Sequence, residues 1–402
     1  MKQLKTILIT FVVTLVIISS VFAYFYRDYI KVDNANVENV QSDSLKSAAN
    51  EIQTPDDEKT EQNDDKITNS RRTVITRAVE KVSPAIVGIT VTEIRQYRSP
   101  FSLDPFWNQF FGNRVYNRKI KGLGSGTIIS PDGYILTNDH VAGNAVEAKV
   151  TMTDGTEYEA KIIGTDPSSD VCLLKIDAEN LPYVKFGNSS DIYIGEWVIA
   201  LGNPFGLFVV NDKPTVTVGV VSATDMNLGQ VNGRYYYDMI QTDAAINGGN
   251  SGGALVNSIG EIIGMNTLIY TAQGSSGNVG VGFAIPINKV KKVVAQLKKD
   301  GKIDRNFWTG LRIQMITKAI AKYYNLKTTK GVIVSAVEQN SPSDKAGIEA
   351  GDVIIQVNNY KIDDDQSLVD LLNNFQTDDV LKVHILRESV PQIINLKLEK
   401  RK

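Results

Sequence analysis

The sequence predicts a mainly β protein with a smaller α+β unit near its C-terminus. Short runs rich in β-branched residues recur between residues 71 and 296, among them "AIVGITV", "GYILTN" and "TVTVGVVSA". Turn signals such as "PDG" and "DG" separate these runs, and such even spacing is typical of a β-sandwich or a pair of β-barrels. At 402 residues, the chain is long enough for two or three domains.

The N-terminus predicts a membrane anchor. Residues 6–26 form an uncharged, largely apolar run after Lys2 and Lys5, and a helix of that length spans a bilayer core of about 30 Å. We therefore interpret residues 1–30 as a cytoplasmic stub and a single transmembrane helix. The two lysines place the stub in the cytoplasm and the rest of the chain on the extracytoplasmic side of the cell membrane. A cleaved signal peptide, with a weak site at "VFA", remains the alternative.

A linker is predicted between the anchor and the folded part of the chain. Residues 31–70 are polar and acidic, and we expect a disordered linker because they cannot bury enough apolar surface to fold. A β-rich domain is then predicted over residues 71–298. It ends in a helix at "NKVKKVVAQLKKDGK" (residues 288–302), with an Asn cap and a Gly stop. Residues 305–400 form the smaller unit, with strands of its own.

Composition excludes several classes of function. The net charge of −2 provides no basic field for nucleic acid. The one cysteine, Cys172, allows neither a disulfide nor a thiolate metal cluster within one chain. We interpret it as a buried small apolar residue. His140 and His384 are the only histidines, so a multi-histidine zinc site is excluded; His384 reads as a surface strand residue. Because the chain also lacks a GK[ST] phosphate loop, we expect no cofactor, no metal and no use of ATP.

Three short stretches together indicate nucleophilic catalysis. "ILTNDHVAG" presents His140 at the end of a strand, "TDPSSDVCLLKI" places Asp170 at the entrance of one, and "NGGNSGGAL" presents Ser251. A serine hydroxyl needs an imidazole to take its proton, and the imidazole needs a carboxylate to fix its tautomer. Each stretch on its own also has a purely structural explanation, and Asp166 is a second candidate for the carboxylate that binds the imidazole. Together, in the order His, Asp, Ser, they favour a catalytic triad.

The glycines around Ser251 suit the same chemistry. Four glycines lie within six residues, where side chains would block a substrate carbonyl. We expect the backbone N–H groups of Gly249 and Ser251 to form an oxyanion hole.

At these residues the sequence resembles the HtrA (Deg) serine proteases of the chymotrypsin-like clan. The resemblance runs from about residue 71 to 402 through "GSGTIIS", "TNDHV", "LGNPFG", "QTDAAINGGNSGGAL" and "GVGFAIP". It implies a double β-barrel, with His140, Asp170 and Ser251 as the triad. It also implies a homotrimer and ATP-independent cleavage of misfolded or unfolded exported proteins. Gly248 and Cys172 depart from the usual family residues, without touching a catalytic role.

The resemblance also implies a specificity pocket. Ala245, six residues before Ser251, lies at its base, and Thr267, Leu268 and Ile269 line its wall. Without a counter-charge for Lys or Arg, such a pocket favours small aliphatic side chains. Residues 99–113 ("SPFSLDPFWNQFFGN") resemble a family loop that can gate the site, although a surface insertion explains them equally well.

The C-terminal unit resembles a PDZ domain of the bacterial type. "NFWTGLRI" matches the carboxylate-binding loop, so the N–H groups of Thr309, Gly310 and Leu311 are expected to bind the free C-terminus of a peptide. The same fold can serve as a mere spacer. The alternative function for the whole chain is a peptide-binding holdase or scaffold in which the protease site is idle.

Overall fold

A computed structural model describes residues 71–98, 115–203, 213–269 and 280–401. The predicted anchor and linker (residues 1–70) and the predicted gating loop (residues 99–113) lie outside these ranges. Within them, no helix combines the length and the apolar character needed to cross a bilayer.

The first barrel contains six antiparallel strands in the order β1-β2-β3-β6-β5-β4. A helix, α1 (Val74–Val82), precedes it, and the Thr73 hydroxyl caps this helix by accepting from the Thr76 N–H at 3.3 Å. A short helix, α2 (Asp139–Ala142), follows the third strand. The strands are β1 (Ile86–Arg98), β2 (Val115–Ile128), β3 (Tyr134–Thr137), β4 (Glu147–Thr151), β5 (Glu157–Asp166) and β6 (Val171–Ile176).

The second barrel is also closed and six-stranded, in the order β11-β14-β13-β12-β7-β8. A separate two-stranded hairpin, β9–β10, is inserted between its second and third strands along the chain. The barrel strands are β7 (Trp197–Gly202), β8 (Thr215–Met226), β11 (Met239–Thr242), β12 (Ala254–Asn257), β13 (Ile262–Ile269) and β14 (Gly282–Pro286), and the hairpin strands are β9 (Gly229–Val231) and β10 (Arg234–Tyr236).

The helix α3 (Ile287–Asp300) confirms one predicted boundary and corrects the other. Gly301 ends it in the left-handed conformation (φ 69°), and its N–H donates to the Leu297 carbonyl. The predicted Asn cap is wrong, because Asn288 already lies inside the helix. Its N–H is instead capped from another loop by the Ser189 hydroxyl, at 3.1 Å.

The C-terminal unit is a sheet with short helices. Its main path is β16-β17-β18-β20-β21, which leaves β16 at an edge, and α6 lies against that strand. The strands are β15 (Phe307–Trp308), β16 (Leu311–Met315), β17 (Val332–Val337), β18 (Val353–Val357), β19 (Tyr360–Lys361), β20 (Val380–Arg387), β21 (Val390–Lys397) and β22 (Glu399–Lys400), and the helices are α4 (Lys318–Tyr323), α5 (Pro342–Ala346) and α6 (Asp365–Leu372).

The two barrels share one apolar core, which fixes their mutual position. Ile135 of the first barrel and Leu201 and Met265 of the second belong to it, together with Leu297 of α3. All four are at most 1% exposed, and full burial of one such side chain contributes about 1.5–3 kcal/mol. The mainly β fold class is confirmed, and of the two architectures predicted from strand spacing the structure adopts the pair of barrels.

Candidate active site

His140 lies in the short helix α2, three residues beyond the end of β3, whereas the sequence placed it at the strand end. Asn138 precedes the helix, and its side-chain amide donates to the main-chain carbonyl of Asp170 at 3.0 Å. This hydrogen bond joins the His140 helix to the loop between β5 and β6. Asp170 precedes β6, as predicted, with φ of 58°. The left-handed conformation is unusual for a residue with a side chain.

His140 and Asp170 form the pair that the sequence predicted. The His140 Nδ1 atom lies 2.8 Å from Oδ2 and 3.0 Å from Oδ1 of Asp170, and the His140 main-chain N–H donates to Oδ1 at 3.0 Å. The Asp170 side chain is fully buried, whereas that of His140 is 33% exposed. The carboxylate thus binds the Nδ1 side of the ring, which leaves Nε2 as the nitrogen available for proton transfer.

Three further side chains surround the Asp170 carboxylate. The Thr267 hydroxyl donates to it at 2.7 Å, and the buried Tyr236 hydroxyl at 3.0 Å. The Arg234 Nε atom lies 3.0 Å from Oδ1, but its N–H is not directed at an acceptor, so this contact is an ion pair without a hydrogen bond.

The Asp170 carboxyl group is held in its ionised form. Burial by itself would raise its pKa, but hydrogen bonds from His140, the charge of His140 and the hydrogen bond from Thr267 outweigh burial. The pKa of Asp170 is therefore lowered below its ordinary value. A neutral-pH enzyme needs this carboxylate to orient the imidazole and to stabilise the imidazolium.

Ser251 belongs to the second barrel, in the connection between β11 and β12. Its hydroxyl donates to the Thr267 main-chain carbonyl at 3.0 Å, and its own carbonyl accepts from the Ser125 N–H at 3.0 Å. In the part of the chain that the structure describes, no hydrogen bond joins Ser251 to His140. Contacts of this kind between a nucleophile and its base are often absent before substrate binds.

The glycines next to Ser251 have a packing role that the sequence did not reveal. A Cβ atom on Gly252 would lie 2.2 Å from the Ser125 carbonyl oxygen, and one on Gly253 would lie 2.1 Å from the Leu201 carbonyl oxygen. Both approaches are too close for any side chain. Gly248, by contrast, has open space around it. Gly252 and Gly253 thus allow the loop that carries Ser251 to pack tightly against its neighbouring strands.

Gly249 and Ser251 carry the N–H groups expected to form an oxyanion hole. Gly249 has φ of 94°, and its carbonyl accepts from the Ser125 hydroxyl at 2.6 Å. Among the described residues, no protein acceptor takes up the N–H of Gly249 or of Ser251. Ser125 was missed at the sequence level, although it lies in the "GSGT" motif. From the first barrel, its hydroxyl and its N–H donate to carbonyls of the loop that carries Ser251.

The expected specificity pocket differs from the structure at Thr267. Its side chain is buried and its hydroxyl donates to the Asp170 carboxylate instead of lining a wall. Ala245 is half-buried, and its carbonyl accepts from the Thr217 hydroxyl at 2.8 Å. The side chains of Leu268 and Ile269 lie outside the description.

In the C-terminal unit, the predicted carboxylate loop lies between β15 and β16. Gly310 has φ of 75°, and a Cβ atom there would lie 2.1 Å from the Ser341 Cβ atom, so only glycine fits. The Leu311 N–H already donates to the Thr309 hydroxyl at 3.3 Å. The carbonyls of Thr309 and Gly310 accept from Ser343 and Glu338. These hydrogen bonds hold the loop, which leads into the edge strand β16 of the sheet.

Cys172 is fully buried in β6, as predicted, and burial raises the pKa of its thiol to about 12. His384 lies half-buried in β20. Within the described residues, no group of three His, Cys, Asp or Glu side chains is placed to hold a metal ion.

Comparison with known proteins agrees with this geometry. Residues 124–265 match the trypsin-like peptidase domain family, and residues 310–398 match the PDZ domain family. The chain is 41% identical over 344 residues to a DegP-like periplasmic serine endoprotease of Marinomonas sp. (strain MWYL1), covering 81% of this chain and 71% of the relative. It is 39% identical to another from Pseudomonas putida (strain GB-1), covering 80% and 69%.

Solved structures extend the likeness to three dimensions. The HtrA-type protease AlgW with a decapeptide is 34% identical, covers 82% of this chain and 99% of that chain, and has a TM-score of 0.59. AlgW with a tripeptide is 33% identical, covers 82% and 97%, and also has a TM-score of 0.59.

Proposed function

Because this chain belongs to the HtrA-type, DegP-like family of trypsin-like serine endoproteases with a PDZ domain, we propose that His140, Asp170 and Ser251 carry out its peptide-bond hydrolysis. The observation that carries the proposal is the pairing of His140 Nδ1 with the buried Asp170 carboxylate at 2.8 Å. The unengaged N–H groups of Gly249 and Ser251 in the loop of the second barrel support it.

In the first half of the reaction, Ser251 rotates away from the Thr267 carbonyl and its Oγ atom attacks the peptide carbonyl carbon. His140 Nε2 takes the hydroxyl proton as the Oγ–C bond forms, and Asp170 stabilises the imidazolium. The Gly249 and Ser251 N–H groups bind the oxyanion, a contact worth about 3–4 kcal/mol per donor in enzymes of this chemistry. His140 then gives its proton to the leaving amine as the C–N bond breaks.

The second half releases the acyl group. Water attacks the Ser251 ester, His140 accepts the proton of the water, and the proton returns to Ser251 Oγ as the ester C–O bond breaks. Every proton transfer passes through His140 Nε2, so the orientation of the imidazole by Asp170 serves both halves of the reaction.

The natural substrates are proposed to be unfolded or misfolded exported proteins. Ala245 provides no counter-charge at the base of the pocket, so Val, Ala, Ile or Leu is favoured on the acyl side of the cut bond. Such side chains are mostly buried in folded proteins and exposed in unfolded ones. The DegP-like relatives are named periplasmic, which agrees with action outside the cytoplasm. The uncharged run at residues 6–26 supports a single-pass membrane anchor, which membrane fractionation of intact cells would test.

The PDZ domain is proposed to bind peptide C-termini. The hydrogen-bonded loop at Thr309 and Gly310 leads into Leu311, the first residue of the edge strand β16, to which an extended peptide can add as a further strand. The solved AlgW structures hold a decapeptide or a tripeptide, and a comparable ligand is proposed here.

A homotrimer is proposed from the family and from one exposed apolar patch. Tyr193, Ile194 and Trp197 lie close together in sequence and are 70%, 67% and 54% exposed. Large apolar side chains in such a cluster are typical of an interface. A monomeric mass in sedimentation equilibrium would contradict this assembly.

The decisive experiment compares casein digestion by the parent chain and by Ser251→Ala. Loss of several orders of magnitude in turnover is expected, with unchanged circular dichroism. Comparable digestion by Ser251→Ala would overturn the triad assignment, whereas peptide binding without any cleavage by the parent chain would favour a holdase.

A further inference from the structure

The C-terminal unit contains a basic segment whose charge differs from that of the whole chain. Between Asp304 and Glu338 the sequence has six Lys or Arg residues and no Asp or Glu, although the net charge of the chain is −2. One of the six, Arg305, pairs with Asp166 of the first barrel at 2.6 Å. The other five are exposed, and they are Arg312, Lys318, Lys322, Lys327 and Lys330. Such an asymmetry of charge indicates contact with a membrane or another polyanion.

These five cations have few acidic partners. Lys330 pairs with Asp363 at 2.9 Å, and both side chains are well exposed, so the pair contributes little. Over the residues that the structure describes, no carboxylate lies within 4.0 Å of the charged group of any of the other four. The positive charge of this surface is therefore available to an outside partner.

Exposed apolar side chains lie among the cations. Lys318 and Lys322 are four residues apart in α4 and share one face of that helix. The next residue, Tyr323, is 83% exposed, and its ring packs edge-to-face on that of Tyr324 with 5.0 Å between the centroids. Met315, at the end of β16, is 53% exposed. Aromatic and apolar side chains flanked by lysines are typical of surfaces that lie in the headgroup region of a membrane.

The helix α4 lies on the opposite face of the sheet from α6. Val332 and Val334 of β17 belong to the core that includes α6. Ile333, between them, belongs to a separate core with Ala321 of α4, as expected for successive side chains of a strand. Tyr237, which follows the hairpin β9–β10, belongs to the core on the α6 side. A partner bound to α4 would therefore leave the edge between β16 and α6 open for a peptide.

We propose that α4 and the exposed residues on either side of it dock the C-terminal unit onto an anionic phospholipid membrane. The lysines bind lipid phosphates, and Tyr323 and Met315 enter the interfacial layer. An acidic protein would also neutralise the lysines, but the combination of lysines with a fully presented tyrosine fits a membrane interface better. The single-pass anchor proposed above would tie the chain to such a membrane. The proposal goes beyond peptide-bond hydrolysis and requires neither the triad nor carboxylate binding at Gly310.

Hydrogen exchange of the full-length Ser251→Ala protein in lipid nanodiscs tests this docking. One set of discs contains phosphatidylcholine alone, and the other contains equal parts of phosphatidylcholine and phosphatidylglycerol. The amides of α4 should exchange several-fold more slowly in the anionic discs, because docking removes them from water. Those of α6, on the other face of the sheet, should exchange equally in both sets. A high salt concentration should reduce the difference at α4, since it screens exposed charges.

Two paired substitutions separate the local charge from the total charge. Lys318→Gln/Lys322→Gln should weaken docking about 25-fold, at about fivefold for each lysine close to an anionic surface. Lys161→Gln/Lys185→Gln is the matched control, because it removes the same charge from exposed positions outside the C-terminal unit. The control pair should keep the slow exchange of α4. Tyr323→Ser retains all the charges and should weaken docking several-fold by removing the ring.

Three results would overturn the proposal. The first is equal exchange of α4 in the two sets of discs, and the second is an equal loss of protection in the two lysine pairs. The third is a slowing of α4 by polyglutamate, added to phosphatidylcholine discs, as strong as that by phosphatidylglycerol, because the surface would then recognise an acidic polypeptide. None of these measurements requires cleavage, so they are independent of the triad assignment, which casein digestion tests.

Discussion

Replacing Thr267 by Val should destabilise the protein through Asp170. Valine has nearly the shape of threonine but lacks the hydroxyl that donates to the buried carboxylate at 2.7 Å. A hydrogen bond to a charged group contributes about 1.5–3 kcal/mol to the free energy of unfolding. No water can replace this donor, since Asp170 is fully buried. We therefore expect a loss near 2 kcal/mol at pH 7 and a higher pKa for Asp170.

The loss should depend on pH with a defined sign. The pKa of Asp170 is lowered in the folded state, so its stabilising contribution is complete above the unfolded value of about 3.9 and disappears as pH falls through the folded value. The difference between Thr267→Val and its parent should be constant from pH 5 to 8. It should shrink below about pH 4.

Urea unfolding in the Ser251→Ala background, which removes autolysis, measures both effects. Thr267→Ser keeps a hydroxyl and should retain most of the stability. Thr217→Val is the matched control, because it removes the same group from a neutral hydrogen bond, to the Ala245 carbonyl at 2.8 Å. That control should lose about 1 kcal/mol at every pH. Equal losses in the two valine variants, both independent of pH, would refute the role assigned to Thr267.

Two further predictions concern substrate and ligand. Casein fragments should end mainly in Val, Ala, Ile or Leu, with modest discrimination of about 1–3 kcal/mol per methylene; mass spectra dominated by Lys and Arg ends would contradict the role of Ala245. Peptides with a free apolar C-terminus should bind the loop at Gly310 more tightly than their amidated forms, and equal affinities in calorimetry would exclude carboxylate recognition.

Much of the fold and of the site was predictable because the signals are local. Short β-branched runs between turn residues indicated barrels or a sandwich, and a left-handed glycine, Gly301, ended α3 where the pattern placed it. The motifs around His140, Asp170 and Ser251 identified the three candidates. These motifs can be read from short stretches of sequence, because a strand end, a left-handed turn and a glycine-rich loop are each formed by neighbouring residues.

Other features could not be predicted, because they depend on contacts between distant segments. The start of helix α3 is capped by Ser189 from another loop. The residues just before the helix therefore contain no cap that would reveal where it begins. Thr267 was assigned to a pocket wall, but the local geometry of β13 turns its hydroxyl to Asp170, 97 residues away. Ser125 of the first barrel donates to the Gly249 carbonyl in the loop of the second barrel that carries Ser251.

The sequence by itself determined the β-rich, two-part organisation and the three candidate residues of the triad, because residue type and spacing carry that information locally. Only the tertiary structure decided which charges surround the triad. Arg234 follows an ordinary Asn-Gly turn, and nothing in its neighbours distinguishes it from a surface arginine. It reaches Asp139 and Asp170 in the folded chain, where the Tyr235 N–H donates to the Ser168 carbonyl and the Tyr236 hydroxyl donates to Asp170. Electrostatic interactions depend on distance and burial, and both are properties of the folded chain.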